Sequence, residues 1–270
     1  MTLSLTHATL NPDGEPVGTA FILHGILGSA RNWRSYARRL AAAWPGWRLV
    51  LVDLRGHGGS HPASPPNTLA AAAADLDRLA ATIGRPRIVV GHSFGGKVAL
   101  TYARDHAEGL EAVWVLDALP GGGDDGVAAS DVAEVVAALR RIPVPLESRE
   151  GLKQLLLGWG FSGMLSSWMT TNLRRRDGAP GFVWRFDLDA VEALLADYLA
   201  VDLWEVVEDA PCDLHFVRAE RSDRWTDHAL GRFYGLMGVT VHLLEDSGHW
   251  VHAENPEGLL ALMTRFGPDA

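Results

Sequence analysis

The stretch Ile88-Val89-Val90-Gly91-His92-Ser93-Phe94-Gly95-Gly96 carries the reading of the fold. Ile88 to Gly91 is a short, β-branched apolar run, and helical spacing of apolar residues takes over from Phe94 to His106. A continuous run of this kind reads as a strand buried on both faces. Between strand and helix stands a G-x-S-x-G. The reason for the pattern is steric: a serine on so tight a turn is strained, and its flanks have to be glycine for the backbones to approach. The turn lifts the hydroxyl above the sheet edge at a helix N-terminus, where backbone N–H groups favour negative charge. The pentapeptide alone is a weak signal, and a Gly-rich turn with an idle serine is the bland alternative. A strand before and a helix after make the signal specific.

Working outward, five more buried runs fit the same scheme: Thr19 to His24, Leu49 to Asp53, Val113 to Asp117, Leu214 to Val217 and Val239 to Leu244. Leu3 to Leu10 offers an edge strand. Helical patterns lie at 31–43, 69–83, 226–237 and 256–266. Strand alternating with helix predicts right-handed crossovers and a mostly parallel, doubly wound α/β sheet. One connection is out of proportion, with about 95 residues between Asp117 and Leu214, where a few residues or one helix is usual. It opens on Gly121-Gly122-Gly123-Asp124-Asp125, which reads as a hinge or mobile loop. Helical patterns follow at 127–141, 151–157, 162–175 and 188–199. The expected organisation is a core of 1–117 and 214–270 with a helical cap insertion at 118–213 that has no sheet of its own.

The composition narrows the partners. A net charge of −9 in 270 residues argues against nucleic acid or an anionic membrane surface, since both attract basic patches. No apolar run approaches the roughly 20 residues of a membrane-spanning helix. The lone Cys212 excludes an intramolecular disulfide framework and any multi-Cys metal site, and beside a buried strand it reads as an inert core residue. The N-terminus lacks the basic start and apolar stretch of a signal peptide. A soluble, cytoplasmic protein, monomer or dimer, without metal or cofactor is the expectation.

A serine hydroxyl is a poor nucleophile until a base takes its proton. Of 11 His, His249 in Asp246-Ser247-Gly248-His249-Trp250 is best placed, between the last strand and the last helix. His24 and His92 sit beside Gly at strand ends and read as structural, His57 and His61 lie in a turn, and His252 makes only an incidental H-x-x-H. An oxyanion needs two preorganised donors. The Gly-rich step His24-Gly25-Ile26-Leu27-Gly28 offers the amide of Ile26, and the residue after the serine offers that of Phe94. A carboxylate to orient the imidazole has two main candidates, Asp117 at the end of one strand and Asp223 after the next, with Glu220, Asp189 and Asp246 weaker. Asp53 and Arg55 read as pins of a turn. Arg174-Arg175-Arg176 reads as a solvated face, with a site for an acidic head group as the sharper option. Trp159, Phe161, Met164, Trp168 and Trp184 read as cap core residues, some of which line an acyl pocket.

His24-Gly25-Ile26-Leu27-Gly28-Ser29, the run Asp53-Leu54-Arg55-Gly56-His57-Gly58-Gly59-Ser60, the elbow itself and Asp246 to Pro256 resemble the α/β-hydrolase superfamily. More closely, they are similar to its branch of small esterases and thioesterases, which includes α/β-hydrolase domain-containing protein eleven and related bacterial and plant enzymes. The resemblance spans nearly the whole chain, including Phe182 to Ala190. It implies Ser93 as nucleophile, His249 as base, and the amides of Ile26 and Phe94 as oxyanion donors. It implies an acid at Asp117, while Asp223 occupies the commoner superfamily position and leaves the choice open. The implied activity is cofactor-free cleavage of a small-molecule ester or thioester. Alternatives are a perhydrolase of haloperoxidase type or a C–C hydrolase or lyase with the same triad, and a ligand-binding receptor on the same fold.

Overall fold

The computed structural model describes residues 4–122 and 126–268, the side chains of 126–131 excepted. The expected hinge at Gly121 to Asp125 falls partly on residues 123–125, outside the described residues.

In chain order the core begins with β1 (His7–Leu10), β2 (Gly18–Leu23), α1 (Ala30–Ala43), β3 (Trp47–Val52), α2 (Leu69–Ile83), β4 (Ile88–His92), α3 (Phe94–Asp105) and β5 (Ala112–Leu116). The long connection holds α4 (Gly126–Arg140), α5 (Arg149–Gly158), α6 (Gly163–Thr171), β6 (Leu173–Arg175), β7 (Phe182–Trp184), α7 (Leu188–Ala200) and α8 (Trp204–Asp209). The chain returns through β8 (Asp213–Ala219), α9 (Asp227–Arg232), β9 (Val239–Leu244), α10 (Val251–Glu254) and α11 (Pro256–Arg265).

Seven strands form one sheet in the order β1-β3-β2-β4-β5-β8-β9. Only the β1–β3 pair is antiparallel; every other pair is parallel. This is the α/β-hydrolase fold the sequence led us to expect, with the first strand as the antiparallel edge. The period of two in a strand explains how unbroken apolar runs serve two cores. In β2, Phe21 and Leu23 pack with Val50, Val89 and Val113 toward α2 and α3, while Ala20 and Ile22 pack with Leu49, Val90 and Trp114 toward α1 and α11.

One feature departs from the expectation. Residues 173–175, expected as the end of a helix, pair antiparallel with Phe182–Trp184, so the inserted stretch does carry a small two-stranded ribbon. Between the two strands, Asp177-Gly178-Ala179-Pro180-Gly181 supplies the turn residues that let the chain reverse. The return helix α8 packs on α3. Lys97 of α3 is fully buried and ties the insertion to the core: its ammonium donates to the carbonyls of Gly121 (2.5 Å), Tyr198 (2.8 Å) and Val201 (3.3 Å). Among the described residues, no helix is long and apolar enough to cross a membrane.

Candidate active site

The site is built on the C-terminal ends of β2, β4 and β5 and on the loops after β8 and β9. Ser93 has φ 52° and ψ −117°, a left-handed φ that a non-glycine residue adopts only under constraint. The constraint is visible in its neighbours. A Cβ on Gly91 would collide with the Gly95 carbonyl, and one on Gly95 would lie 2.6 Å from the His24 carbonyl oxygen. The two glycines of the pentapeptide are thus the places where the elbow crosses itself and where it touches the β2 loop. The Ser93 amide donates to the Leu116 carbonyl at 2.9 Å, which fixes the elbow to the end of β5.

Leu27, Asp117 and Asp246 also have positive φ (60°, 51° and 52°). Four of the five non-glycine residues with that backbone among the described residues therefore lie in these loops, as strain stored at a functional site would.

His249 Nδ1 lies 2.8 Å from Asp117 Oδ2. Asp117 is fully buried, and its other oxygen accepts from the Ala219 amide (3.1 Å) and from Trp225 Nε1 (2.9 Å). Burial pushes the Asp117 carboxyl up, but the hydrogen bonds from His249 and Ala219 outweigh it and hold the group below its ordinary value. Asp223 lines the cavity beside these groups rather than occupying the Nδ1 position of His249. Asp189 is exposed and pairs with Arg140 at 2.6 Å. Glu220 accepts from the Asp246 amide at 2.9 Å.

Arg224, from the loop after β8, is a residue the sequence reading passed over. Its Nε is 3.2 Å from His249 Nδ1 and 4.0 Å from Asp117 Oδ2. Nδ1 cannot donate to Asp117 and accept from Arg224 at once. With the proton aimed at the carboxylate, Arg224 stands as a cation at the edge of the ring, and its charge further favours the ionised Asp117.

His24, His57, His92 and His252 make contacts that brace the loops around the site, and of these His24 and His92 were the two read as structural from their place beside glycine. The Leu54 amide donates to His24 Nε2 (3.0 Å), and the Leu27 amide donates to His57 Nε2 (3.1 Å). Both rings thereby hold the β2 and β3 loops as neutral acceptors. Burial drives His24 down to about 4 and His57 down to about 3. His92 bonds the His249 carbonyl at 2.7 Å, and His252 stacks on Trp33 with ring centroids 4.1 Å apart. Asp53 pins its turn by accepting from the Ala30 and Gly59 amides, and Arg55 pairs with buried Asp75 at 2.7 Å. Burial raises the Cys212 thiol to about 12, so it is an inert thiol at neutral pH.

Ser93 and His249 open on one cavity of about 300 Å³. The loop 24–28 forms one wall; Gly25 approaches so closely that a Cβ there would stand 3.4 Å from Ser93 Cβ. Val132, Val135, Leu165 and Trp168 of α4 and α6 form the facing wall. Phe94 and Ile26 border a small recess on the other side of Ser93, with Leu195 and Tyr198. Of the five aromatic and Met residues expected as lining, Trp168 alone is there. Met164 is 59% exposed, and Trp184 is buried on Phe186 with centroids 5.1 Å apart. Trp159 stacks under the Arg141 guanidinium, and Phe161 packs against the core cluster. Helical faces carry apolar residues toward both core and cavity, and composition does not tell them apart.

A strained serine at a strand-to-helix elbow, beside an imidazole backed by a buried carboxylate, defines a class: enzymes that work on the C-terminal edge of a hydrolase sheet. The alpha/beta hydrolase family model matches residues 20–262, and this chain belongs to that family of hydrolases. It is 27% identical over 270 residues to the sn-1-specific diacylglycerol lipase ABHD11 of Mus musculus, covering 98% of this chain and 85% of that protein. It is 31% identical over 267 residues to lipase LipV of Mycobacterium tuberculosis, covering 94% and 95%. The 2-succinyl-6-hydroxy-2,4-cyclohexadiene-1-carboxylate synthase of Klebsiella pneumoniae is 25% identical, covering 90% and 91%. Among solved structures, a marine microorganism esterase shares the fold with a TM-score of 0.86 at 23% identity, covering 98% of this chain and 100% of that one.

Proposed function

We propose that this protein hydrolyses carboxylic esters or acyl thioesters through an acyl-enzyme on Ser93. The observation that carries the reading is the shared cavity: strained Ser93 faces it together with His249, whose Nδ1 lies 2.8 Å from Asp117. In this mechanism His249 Nε2 takes the Ser93 proton as Oγ adds to the acyl carbonyl. The amides of Ile26 and Phe94 receive the oxyanion, the latter at the N-terminus of α3 where the helix dipole adds to it. Asp117 holds the imidazole in one tautomer and stabilises the imidazolium. His249 then returns the proton to the departing alcohol or thiol. Water, activated by the same imidazole, attacks the acyl-enzyme and frees the acid and Ser93.

In this reading the stretch 118–213 acts as the cap. The acyl chain lies against Val135, Leu165 and Trp168, which supply apolar surface opposite the polar loop 24–28. Turnover of short p-nitrophenyl esters and acyl thioesters, with Ser93→Ala as comparison, tests the proposal. Activity that disappears in the variant supports it. No turnover of either class, with tight binding of a small ligand, points instead to a receptor on this fold.

A further inference from the structure

A second cavity, of about 460 Å³, lies outside the serine site and is lined by a concentration of positive charge unusual for a chain of net charge −9. Arg31 and Arg34 reach it from α1, Arg174 from β6, and Arg185 from just beyond β7. Among the described residues, neither Arg31 nor Arg34 makes an ion pair, and the partner of Arg174 is Asp177, 3.3 Å away and almost wholly in solvent. Arg185 is half-buried and donates to the Leu173 carbonyl at 3.3 Å. Burial, then the nearby charges of Arg31, Arg149 and Arg174, hold the Arg185 guanidinium below its ordinary value, with Asp53 opposing. Asp53 lines the same cavity and offsets one of these four positive charges, while its two oxygens accept from the amides of Ala30 (2.7 Å) and Gly59 (2.8 Å) rather than from a guanidinium.

Solvation accounts for an exposed arginine singly. It does not account for arginines from two separate parts of the chain converging on a half-buried fourth, where each like-charge approach costs stability. An anion in the middle removes that cost.

We infer that this cavity binds a phosphate group. A guanidinium fork engages two oxygens at a time, and a phosphate group, with three or four oxygens, can serve several such forks where a carboxylate has only two. The hydroxyls of Thr6 and Ser29 line the same space and add neutral donors. The site has a structural consequence. Ser29 and Arg31 wall this cavity, while Gly28 and Asn32 wall the one at Ser93, so the first turn of α1 separates the two. Bound phosphate would join α1 to the ribbon directly behind the loop that carries Ile26. The phosphate is either free or carried on the alcohol or thiol side of a substrate.

Calorimetric titration of the intact chain with sodium phosphate, at ionic strength held constant with chloride, tests the site without requiring turnover. Saturable one-to-one binding is expected, weakened about tenfold or more in Arg31→Gln/Arg34→Gln. Arg174→Gln alters the opposite wall and is expected to weaken binding as well, which separates lost contacts from a local defect in α1. Circular dichroism of each variant checks its fold. No saturable binding by the wild-type protein, or unchanged affinity in both folded variants, overturns the inference. Inhibition arms distinguish the sources. Competition between phosphate and an acyl thioester phosphorylated on its thiol side assigns the site to a substrate phosphate. Saturable binding without competition assigns it to the free ion.

Discussion

The elbow region and the helical insertion meet across one cavity, yet they are built on different terms. At the elbow each residue is over-determined. Gly91 and Gly95 have no room for a Cβ, Ser93 is held at a left-handed φ, and Asp117 spends both oxygens on named donors. On the insertion side, Val132, Val135, Leu165 and Trp168 are ordinary apolar residues on helices, and other apolar residues of similar size would cover the same surface. The difference separates the two jobs of the molecule. Chemistry demands particular residue types at particular places, whereas selectivity asks only for a shape. Changes at the elbow should therefore be all-or-none, and changes in the insertion should be graded.

The largest effect is expected at the carboxylate. Asp117→Asn should lower kcat by about 10⁴-fold, since the amide favours the wrong tautomer of His249, while Asp223→Asn should stay within a few-fold of wild type. Steady-state kinetics of the two purified variants give the ranking, and the reverse order would break the comparison by moving the acid off the β5 end. Next comes the elbow backbone. Gly95→Ala drives a methyl into the His24 and Leu23 carbonyls and should cost about 3 kcal/mol, read as a lower denaturation midpoint. A variant as stable as wild type would show that the elbow has slack.

How far these features could be read from sequence follows the same division. The parallel sheet was readable because strands buried on both faces have to be continuous apolar runs, and Thr19 to His24 or Val113 to Asp117 leave little choice. The edge strand was readable at Leu3 to Leu10, but its antiparallel pairing with β3 was not, because that direction depends on a partner about 40 residues away. Ser93 and His249 stood out because turn chemistry marks them locally. The candidate acid stayed open between Asp117 and Asp223 because both follow strands and the choice depends on side-chain direction. Trp225, Arg224 and Lys97 escaped notice because their partners are distant in sequence: Asp117 lies 108 residues from Trp225, and Val201 lies 104 from Lys97. The ribbon escaped because its strands have three residues each, too few for a period.

The buried histidines sharpen the contrast by pH. His24 and His57 are neutral in the folded chain and protonate near 6.5 once unfolded, so the unfolded state binds more protons at low pH. Stability is then full above about 6.5 and falls as pH drops toward about 4, by about 3 kcal/mol for His24 alone. Thermal melts across that window should show Tm falling with pH, and a flat Tm would mean these rings are not the neutral anchors of their loops. The smallest effect belongs to the insertion. Trp168→Ala should change kcat/KM for long acyl chains relative to short ones by about tenfold, with little change in stability, because it removes wall area rather than a fixed contact. A loss equal for all chain lengths would mean that Trp168 belongs with the elbow, not with the selective wall.

The proposed chemistry passes through a single atom, Ser93 Oγ, as the group that becomes acylated. A fluorophosphonate probe reads this directly, since Oγ displaces fluoride from phosphorus and leaves a stable ester that peptide mass spectrometry locates. One adduct per chain is expected on Ser93, lost in Ser93→Ala together with ester turnover. An adduct on any other residue, or continued turnover with Ser93 unlabelled, would contradict it.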